Sequence, residues 1–578
     1  METESRTPPL RAGRRPAGTA LLGWLADPRA PRLCLVSGRP GAGKTHLLGW
    51  LLAQGTAPDT PAERRVHAAL PSAGLDARGA LWLLGSQLGI TARTVPELLA
   101  ALAADDRRTV VCVPELDRAA DPARLVAELL DPMLELPHLR LVVEAAAGTG
   151  FANLPAPAVL DLDDPAWTDR GRFDAWCAEQ GHDPGGYPSP GRAAGAVPPP
   201  PAAAPELIAR VPRGADGALD LAAADEDLLS DLWVAAARAG DLGPLATDPM
   251  LYALARPTSV TTALDGRTDP LATAWSTVGP ALVDIPDAPG RAHLLRARLL
   301  GTDPAAAARL ADAPSRWSAR WARWEPGAAA ATVQGGHWLV ADRNGAIRRL
   351  AASDGSTVGL APVDEPRPLL AITVTAGGSL VLLDTWSGTE ILAPAAPAPG
   401  LEPYALDEEL ARLRAAAGPL TALAAAPLLL AAAPAVGDAD GAVHWSGDGG
   451  VRSAALHTGP VTALAAHALG TGQDAFPLLA SGGYDGAVRL WGPDDEPMPG
   501  PADRRPAPVT ALALASGPDG LLLATAWSDG LVRVRRPELS VPPVELRLGS
   551  DIRTLGFADG ALLVGLSDGL LAVDLLPG

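Results

Sequence analysis

Apolar runs and helical periods alternate between residues 31 and 165. The runs RLCLVSG, RVHAAL, RTVVCV, LRLVVEA and AVLDLD are typical of buried strands. Between them, segments such as KTHLLGWLLAQ and LDARGALWLLGSQLG repeat apolar residues at the three- and four-residue spacing of a helix. Strands that alternate with helices of this length predict an α/β domain whose parallel sheet carries helices on both faces.

The pattern changes after residue 165. The stretch 183–205, DPGGYPSPGRAAGAVPPPPAAAP, favours extended polyproline II, so we expect a linker over 166–205. Residues 206–325 return to helical periods and predict a helical domain. This region ends in SRWSARWARW, where a helix would place Trp317, Trp321 and Trp324 on one face. We interpret that face as an apolar anchor against the next domain, in preference to a surface that stacks on nucleic acid.

From residue 326 the chain consists of short apolar runs closed by glycine-containing turns. The turn glycines are Gly345, Gly378, Gly441, Gly486, Gly530 and Gly569, at intervals of 33, 63, 45, 44 and 39 residues. This spacing predicts an all-β propeller of six to seven blades over 326–578. One long interval contains PYALDEELARLRAAAG, which predicts a helical insertion, and AATVQG near residue 330 is the candidate strand for closing the ring.

One uncharged stretch, GPLTALAAAPLLLAAAPAVG at 418–437, has the length of a membrane span. It contains three prolines, however, and its PLTALA opening recurs as PVTALA at 460 and at 508. We therefore interpret it as part of a repeat.

Composition and charge narrow the class of protein. A net charge of −19 argues against nucleic acid or an anionic membrane as the main partner, because both would repel the chain. Cys34, Cys112 and Cys177 lack metal-ligand spacing and are interpreted as reduced residues. The N-terminal arm, 1–30, has an apolar run too short for a signal peptide, so we expect a cytoplasmic protein.

Lys44 is the only lysine among 47 basic residues, and it lies between the first strand and the first helix of the α/β domain. The surrounding residues read G-x-x-x-x-G-K-T. In such a loop the backbone N–H groups point at phosphate oxygens, the lysine ammonium reaches the β and γ phosphates, and the threonine hydroxyl binds Mg²⁺. The broad, planar guanidinium group of an arginine would not fit that small turn at the position of Lys44. We therefore predict a site for ATP or ADP with Mg²⁺ formed by Gly38, Arg39, Pro40, Gly41, Ala42, Gly43, Lys44, Thr45 and His46.

The second acidic motif of such a site is incomplete. VVCVPELD places Pro114 where an aspartate normally holds the metal, followed by Glu115 and Asp117. Glu115 is the candidate general base. Asp117 is a second candidate catalytic acid and, with Thr45, a candidate metal ligand. Because phosphoryl transfer depends on positioning and charge neutralisation, we expect nucleotide binding with slow or absent hydrolysis.

Two resemblances accompany these motifs. The loop resembles the Walker A motif of P-loop NTPases, and the whole arrangement is similar to STAND (NACHT-like) signal-transduction ATPases fused to a WD-repeat propeller.

A WD repeat is resembled by residues 457–491, HTGPVTALAAHALGTGQDAFPLLASGGYDGAVRLW. That resemblance implies a buried hydrogen-bonded network of His457, Ser481, Asp485 and Trp491. The unit at 508–535 keeps Thr525 and Asp529 but has Arg535 in place of the tryptophan.

The resemblance implies a nucleotide-regulated switch or scaffold whose propeller binds a protein partner, with nucleotide-dependent self-association as a further expectation. Two alternatives stay open. One is an active Mg²⁺-dependent ATPase that uses Glu115 as its base, and the other is an interaction scaffold with a vestigial nucleotide site.

Overall fold

We analysed a computed structural model of the 578-residue chain. It describes all residues except 1–9, 58, 146–156, 186–187, 195–202, 393–402, 426–433, 448–449, 471–475, 494, 496, 499, 518 and 577–578. The chain divides into two compact units, Met1–Asp284 and Ile285–Gly578. The division falls inside the predicted helical region 206–325.

A five-stranded parallel sheet organises the first unit. Its strands are β1 (Leu33–Ser37), β2 (Ala68–Ala69), β3 (Thr109–Val113), β4 (Leu139–Glu144) and β5 (Ala158–Asp161). They lie in the order β2-β3-β4-β1-β5, and every pairing is parallel. The residues of β4 are buried throughout, as expected for a strand inside a parallel sheet. The predicted α/β sheet is confirmed.

Several helices of the first unit begin after a residue whose side chain caps their first turn. Asp76, Thr94 and Asp225 each accept a hydrogen bond from a backbone N–H of the first helical turn that follows. The helices are α1 (Arg15–Ala26), α2 (Lys44–Gly55), α3 (Ala77–Leu88), α4 (Val95–Ala104), α5 (Pro122–Leu125), α6 (Asp131–Glu135), α7 (Arg170–Gln180), α8 (Pro190–Ala193), α9 (Ala204–Arg210), α10 (Glu226–Ala239), α11 (Pro249–Leu254), α12 (Pro257–Ala263) and α13 (Pro270–Asp284). A π-helical turn, Val126–Leu130, joins α5 to α6.

The second unit begins with α14 (Ala288–Leu299) and α15 (Pro304–Arg309) and continues as strands. These are β6 (Trp317–Trp324), β7 (Ala330–Gln334), β8 (His337–Ala341), β9 (Ile347–Ala351), β10 (Thr357–Leu360), β11 (Leu369–Val374), β12 (Leu380–Asp384), β13 (Thr389–Leu392), β14 (Leu420–Ala424), β15 (Ala435–Asp438), β16 (Ala442–Gly447), β17 (Gly450–Ala455), β18 (Val461–Leu469), β19 (Phe476–Gly483), β20 (Ala487–Trp491), β21 (Asp503–Arg504), β22 (Val509–Gly517), β23 (Gly520–Trp527), β24 (Leu531–Arg535), β25 (Val544–Arg547), β26 (Ile552–Ala558), β27 (Ala561–Leu566) and β28 (Gly569–Leu575).

These strands form six antiparallel sheets in the described part of the chain. The innermost strands, β7, β11, β14, β18, β22 and β26, each contact the innermost strands of both neighbouring sheets. The sheets are therefore the blades of a closed six-bladed propeller, numbered 1 to 6 from β7, and the predicted range of six to seven blades resolves to six. The recurring PLTALA and PVTALA segments are the innermost strands of blades 3, 4 and 5.

The prediction of a helix over the three tryptophans is wrong. Trp317–Trp324 is β6, which pairs antiparallel with β28 as the outer strand of blade 6. Trp317, Ala319 and Trp321 are buried in alternation. Because residues four apart share a face in both a strand and a helix, the spacing of Trp317 and Trp321 fits either structure. Trp324, three residues further on, shares that face only in a helix, and it is less buried than the other two tryptophans. Pairing with β28 decides between them, and the propeller begins before the predicted boundary at 326.

Strand β6 also corrects the prediction for ring closure. AATVQG near residue 330 forms β7, the innermost strand of blade 1, so it does not complete blade 6. The ring is closed by an N-terminal strand added to C-terminal strands, which ties the two ends of the propeller sequence together.

Blade 2 differs from the other blades. Gly378 lies in its first hairpin, β11 to β12, whereas the glycine in the hairpin that matches the other turns is Gly388. The predicted insertion helix is confirmed as α16 (Pro403–Ala416). Its buried Leu406, Leu410 and Leu413 pack in a cluster with residues of blades 2 and 3.

The described helices include none that is long and apolar enough to cross a membrane.

Candidate functional site

The loop that connects β1 to α2 carries the predicted nucleotide residues. Gly41 and Gly43 adopt positive φ angles of 83° and 92°, and Gly43 is the residue that precedes the first helical turn. Side chains with a Cβ rarely adopt these angles, so the glycines allow the loop to curl at the helix N-terminus. The Lys44 ammonium folds back over the loop and donates to the carbonyl of Gly38 at 2.8 Å. His46 is exposed on α2.

The position of this loop in the sheet is that of a typical ligand site in α/β folds. Strand β1 lies between β4 and β5, so the chain leaves β1 toward β2 on one side and reaches β5 on the other. In open parallel sheets, ligands bind beyond the carboxyl ends of strands where the chain direction reverses in this way.

Glu144, which the sequence analysis did not single out, lies beside the loop at the carboxyl end of β4. Its carboxylate accepts from the Thr45 hydroxyl at 3.0 Å and from the backbone N–H of Glu115 at 3.2 Å. It is only 7% exposed. Burial raises the pKa of Glu144 above its usual 4.5, although both hydrogen bonds and the Lys44 charge act in the opposite direction. The sequence shows only that Glu144 ends an apolar strand, and its role becomes visible once β4 is placed next to β1.

The two predicted acids lie in the turn that follows β3. Glu115 has a positive φ of 57°, and its carboxylate pairs with Arg118 at 2.5 Å. Asp117 is exposed in the short 3₁₀ turn Leu116–Arg118. Pro114 is buried at the end of β3 and offers no side-chain oxygen. Among the described acids near the loop, Glu144 is the one that accepts a hydrogen bond from Thr45.

Residues from distant segments of the chain form hydrogen bonds with the loop between β1 and α2. Arg14, 1% exposed, donates to the carbonyl of Ala42 at 2.5 Å and to that of Leu162 at 3.1 Å. Burial lowers the pKa of Arg14 to about 10, while the nearby Asp163 charge raises it. Asp163 in turn accepts from the backbone N–H of Arg39 at 3.1 Å.

A short segment that includes α8 crosses the loop at Gly41. The N–H of Gly191 donates to the carbonyl of Gly41 at 2.9 Å. A Cβ on Gly41 would lie 2.8 Å from the hydroxyl of Ser189, so the two segments meet closely. Ser189 is 5% exposed, and its hydroxyl has no hydrogen-bond partner among the described residues. A buried hydroxyl without a partner is uncommon in proteins and marks a place where a further polar group fits.

The three cysteines are buried and unpaired in the structure. Burial raises the pKa of Cys34 to about 12, with a small opposing effect from Arg140. A thiol in that state is a poor nucleophile and a poor metal ligand. The described residues contain no group of three or more His, Cys, Asp or Glu side chains suited to a metal ion.

In the propeller, three of the four predicted network residues interact. The His457 ring lies 3.0 Å from Asp485 through Nδ1 and 2.8 Å from the Ser481 hydroxyl through Nε2. Trp491 is buried, but its indole N–H has no partner among the described residues, and its ring packs against Trp445 at 5.7 Å. The network therefore connects a loop, a strand and a turn of blade 4, which is a structural role.

The pH dependence of folding provides a test of this network. Burial lowers the pKa of His457 below its usual 6.5, against the opposing effect of Asp485. The folded state then binds fewer protons than the unfolded state. The contribution of His457 to the free energy of unfolding is therefore fully present above about pH 6.5 and is lost as the pH decreases. We expect the loss between pH 7.5 and 5.5, measured by urea unfolding, to be smaller in His457→Gln. An unchanged loss would contradict this role.

A second histidine network, missed in the sequence, lies in blade 3. His444 contacts Asp438 through Nε2 at 2.9 Å and the Ser453 hydroxyl through Nδ1 at 2.7 Å. Asp438 also accepts from the backbone N–H groups of Gly418 and Ala442. We interpret this network as fixing the turn between β15 and β16.

The innermost strands surround a central cavity of about 540 Å³. Most of its lining is small or apolar. Its polar members include Thr421, Thr462, Thr510 and Arg553 near the starts of their strands.

Comparison with known proteins supports the propeller. The family model "WD domain, G-beta repeat" matches residues 451–492, which contain most of blade 4. This confirms the WD-repeat interpretation of 457–491. A WD40 propeller suggests a protein-interaction scaffold. A search of curated proteins found no significant match.

Solved structures that resemble the chain include three of low identity. The computationally designed Ika8 protein is 17% identical, with a TM-score of 0.26, over 43% of this chain and 70% of that protein. The structure of U3-55K and that of the RRP9 WD40 repeats are each 13% identical, with TM-scores of 0.28, over 45% of this chain and 98% of theirs.

Proposed function

We propose that this protein is a nucleotide-binding switch or scaffold. ATP or ADP binds the loop from Gly38 to Thr45, and the propeller binds a protein partner. The observation that carries the proposal is the curled loop at the N-terminus of α2, where backbone N–H groups, the helix dipole and the only lysine of the chain converge. The Ser189 hydroxyl beside Gly41 has no hydrogen-bond partner among the described residues and could bond a polar ligand there.

The donor set near the loop fits a magnesium ion. Mg²⁺ prefers hard oxygen ligands, and the Thr45 hydroxyl and the Glu144 carboxylate are adjacent oxygen donors. When bound, the ion would neutralise charge on the phosphates. Lys44 would exchange its contact with the Gly38 carbonyl for phosphate oxygens, and the loop would supply N–H donors to the same group.

The proposal includes weak or absent hydrolysis. The carboxylate of the candidate base Glu115 is paired with Arg118. Glu115 would have to leave this pair before it could orient an attacking water. A scaffold that holds nucleotide without turning it over needs no such change. We further propose a cytoplasmic location and nucleotide-dependent self-association.

Substitution of Lys44 tests nucleotide binding. In a titration with a fluorescent ATP analogue we expect Lys44→Ala to weaken binding by about 10–100-fold, because a charged hydrogen bond contributes about 1.5–3 kcal/mol. Lys44→Arg keeps the charge but is expected to bind nearly as poorly, since the guanidinium is too broad for the turn. The control is Arg29→Ala, an exposed cation outside the loop. Equal affinity in all four proteins would contradict the proposal.

Phosphate release from the same preparations separates the switch from the ATPase alternative. We expect turnover far below the about 1–100 s⁻¹ of typical kinases. Rapid turnover that Glu115→Gln abolishes would favour the enzyme.

A further inference from the structure

We infer that Glu144 is the acidic residue that holds Mg²⁺ at the nucleotide loop, in the role that the sequence assigned to Asp117. The inference rests on the proposed function, since the ion enters together with the phosphates. It concerns the residues that would bind the metal ion. Pro114 occupies the position after β3 where a metal-binding aspartate was expected, and it has no carboxylate.

The distance between the two candidate ligand oxygens, those of Thr45 and Glu144, supports this assignment. Octahedral Mg²⁺ has metal–oxygen bonds of about 2.0–2.1 Å, so neighbouring ligands lie about 2.9 Å apart. The Thr45 hydroxyl oxygen and Oε1 of Glu144 are separated by 3.0 Å. The ion can therefore replace the hydrogen bond between them with two metal–oxygen bonds without a large movement of either residue.

The backbone fixes the Glu144 carboxylate in this orientation. Its second oxygen, Oε2, accepts from the N–H of Glu115 at 3.2 Å. Glu115 adopts a positive φ at this point, so the turn after β3 directs its N–H toward β4 and its carboxylate toward Arg118. The segment predicted to supply the metal ligand instead orients the ligand on the neighbouring strand.

Burial favours the binding of a cation by the Glu144 carboxylate. Glu144 is more than nine-tenths buried next to the sheet, where water solvates a carboxylate poorly. Asp117, in contrast, is exposed. A divalent cation therefore gains more from the Glu144 side of the loop than from the Asp117 side.

The test compares ATP affinity with and without Mg²⁺ by calorimetry, in the full-length chain. In the wild-type protein we expect Mg²⁺ to tighten ATP binding by at least about tenfold over EDTA. Glu144→Gln preserves the shape of the side chain but removes the charge. Its amide oxygen can still accept from the N–H of Glu115, while its NH₂ group donates to the Thr45 hydroxyl oxygen. The variant is expected to bind ATP in EDTA at least as well as wild type and to lose the effect of Mg²⁺. Asp117→Asn is the matched variant, and we expect it to keep that effect.

The outcomes separate the inference from the proposed function. If ATP does not bind the wild-type protein under either condition, the nucleotide site itself is disproved, and the inference with it. If ATP binds and Asp117→Asn loses the Mg²⁺ effect while Glu144→Gln keeps it, only the inference is overturned. Glu144→Asp, which shortens the side chain, provides a second variant, and an intermediate Mg²⁺ effect is expected. Circular dichroism verifies that each variant is folded.

Discussion

Replacing Trp321 with alanine is expected to destabilise the propeller by about 3–5 kcal/mol, the usual cost of removing a large buried aromatic side chain. Trp321 lies on β6, the strand that closes the ring by pairing with β28. It is 8% exposed, its indole N–H donates to the Ala352 carbonyl at 2.9 Å, and its ring lies 6.2 Å from that of Trp338. The substitution removes contacts both within blade 6 and between blade 6 and blade 1.

Urea unfolding followed by circular dichroism measures this effect. Trp386→Ala is the matched control, because Trp386 is 75% exposed in the second hairpin of blade 2. We expect that variant to change stability by less than about 0.5 kcal/mol. Similar losses in the two variants would show that β6 does not close the propeller as described.

Replacing Arg14 with alanine is expected to destabilise the first unit by about 3 kcal/mol. The guanidinium is buried and donates to the Ala42 and Leu162 carbonyls and to the Thr168 hydroxyl. Removing it leaves these acceptors buried and unpaired, and each unsatisfied group costs about 1–3 kcal/mol. Because Ala42 is part of the loop, we also expect weaker nucleotide binding.

Arg15 offers a control of the same residue type at the next position. It is exposed on the first turn of α1, so Arg15→Ala is expected to change stability by less than about 0.5 kcal/mol. Thermal unfolding at a fixed pH measures both variants. An Arg14→Ala variant as stable as Arg15→Ala would contradict the role assigned to the buried guanidinium.

The α/β sheet could be predicted because its signals are local. Strands such as Leu33–Ser37 and Thr109–Val113 are continuous apolar runs, and a glycine-rich loop between a strand and a helix needs no tertiary information to be recognised. The turn glycines of the propeller, such as Gly486 with a φ of 72°, are similarly visible. A Cβ there would lie 1.9 Å from the Arg505 carbonyl oxygen.

The remaining features depend on contacts between distant segments. Trp317 and Trp321 fit a helix or a strand equally well until β28 is placed beside them. Gly378 and Gly388 cannot be told apart until the hairpins of blade 2 are known. Glu144 becomes notable only because β4 lies next to β1, where its carboxylate reaches Thr45 across a separation of 99 residues.

Hydrogen–deuterium exchange with and without Mg²⁺-ATP tests the central claim most directly, since the claim concerns individual backbone N–H groups. If phosphates bind the loop, amides between residues 38 and 46 should exchange more slowly when the nucleotide is present. Lys44→Ala should show less protection than the wild type at an ATP concentration near the wild-type dissociation constant. Unchanged exchange in that segment at saturating ATP, or protection confined to the propeller, would contradict the account.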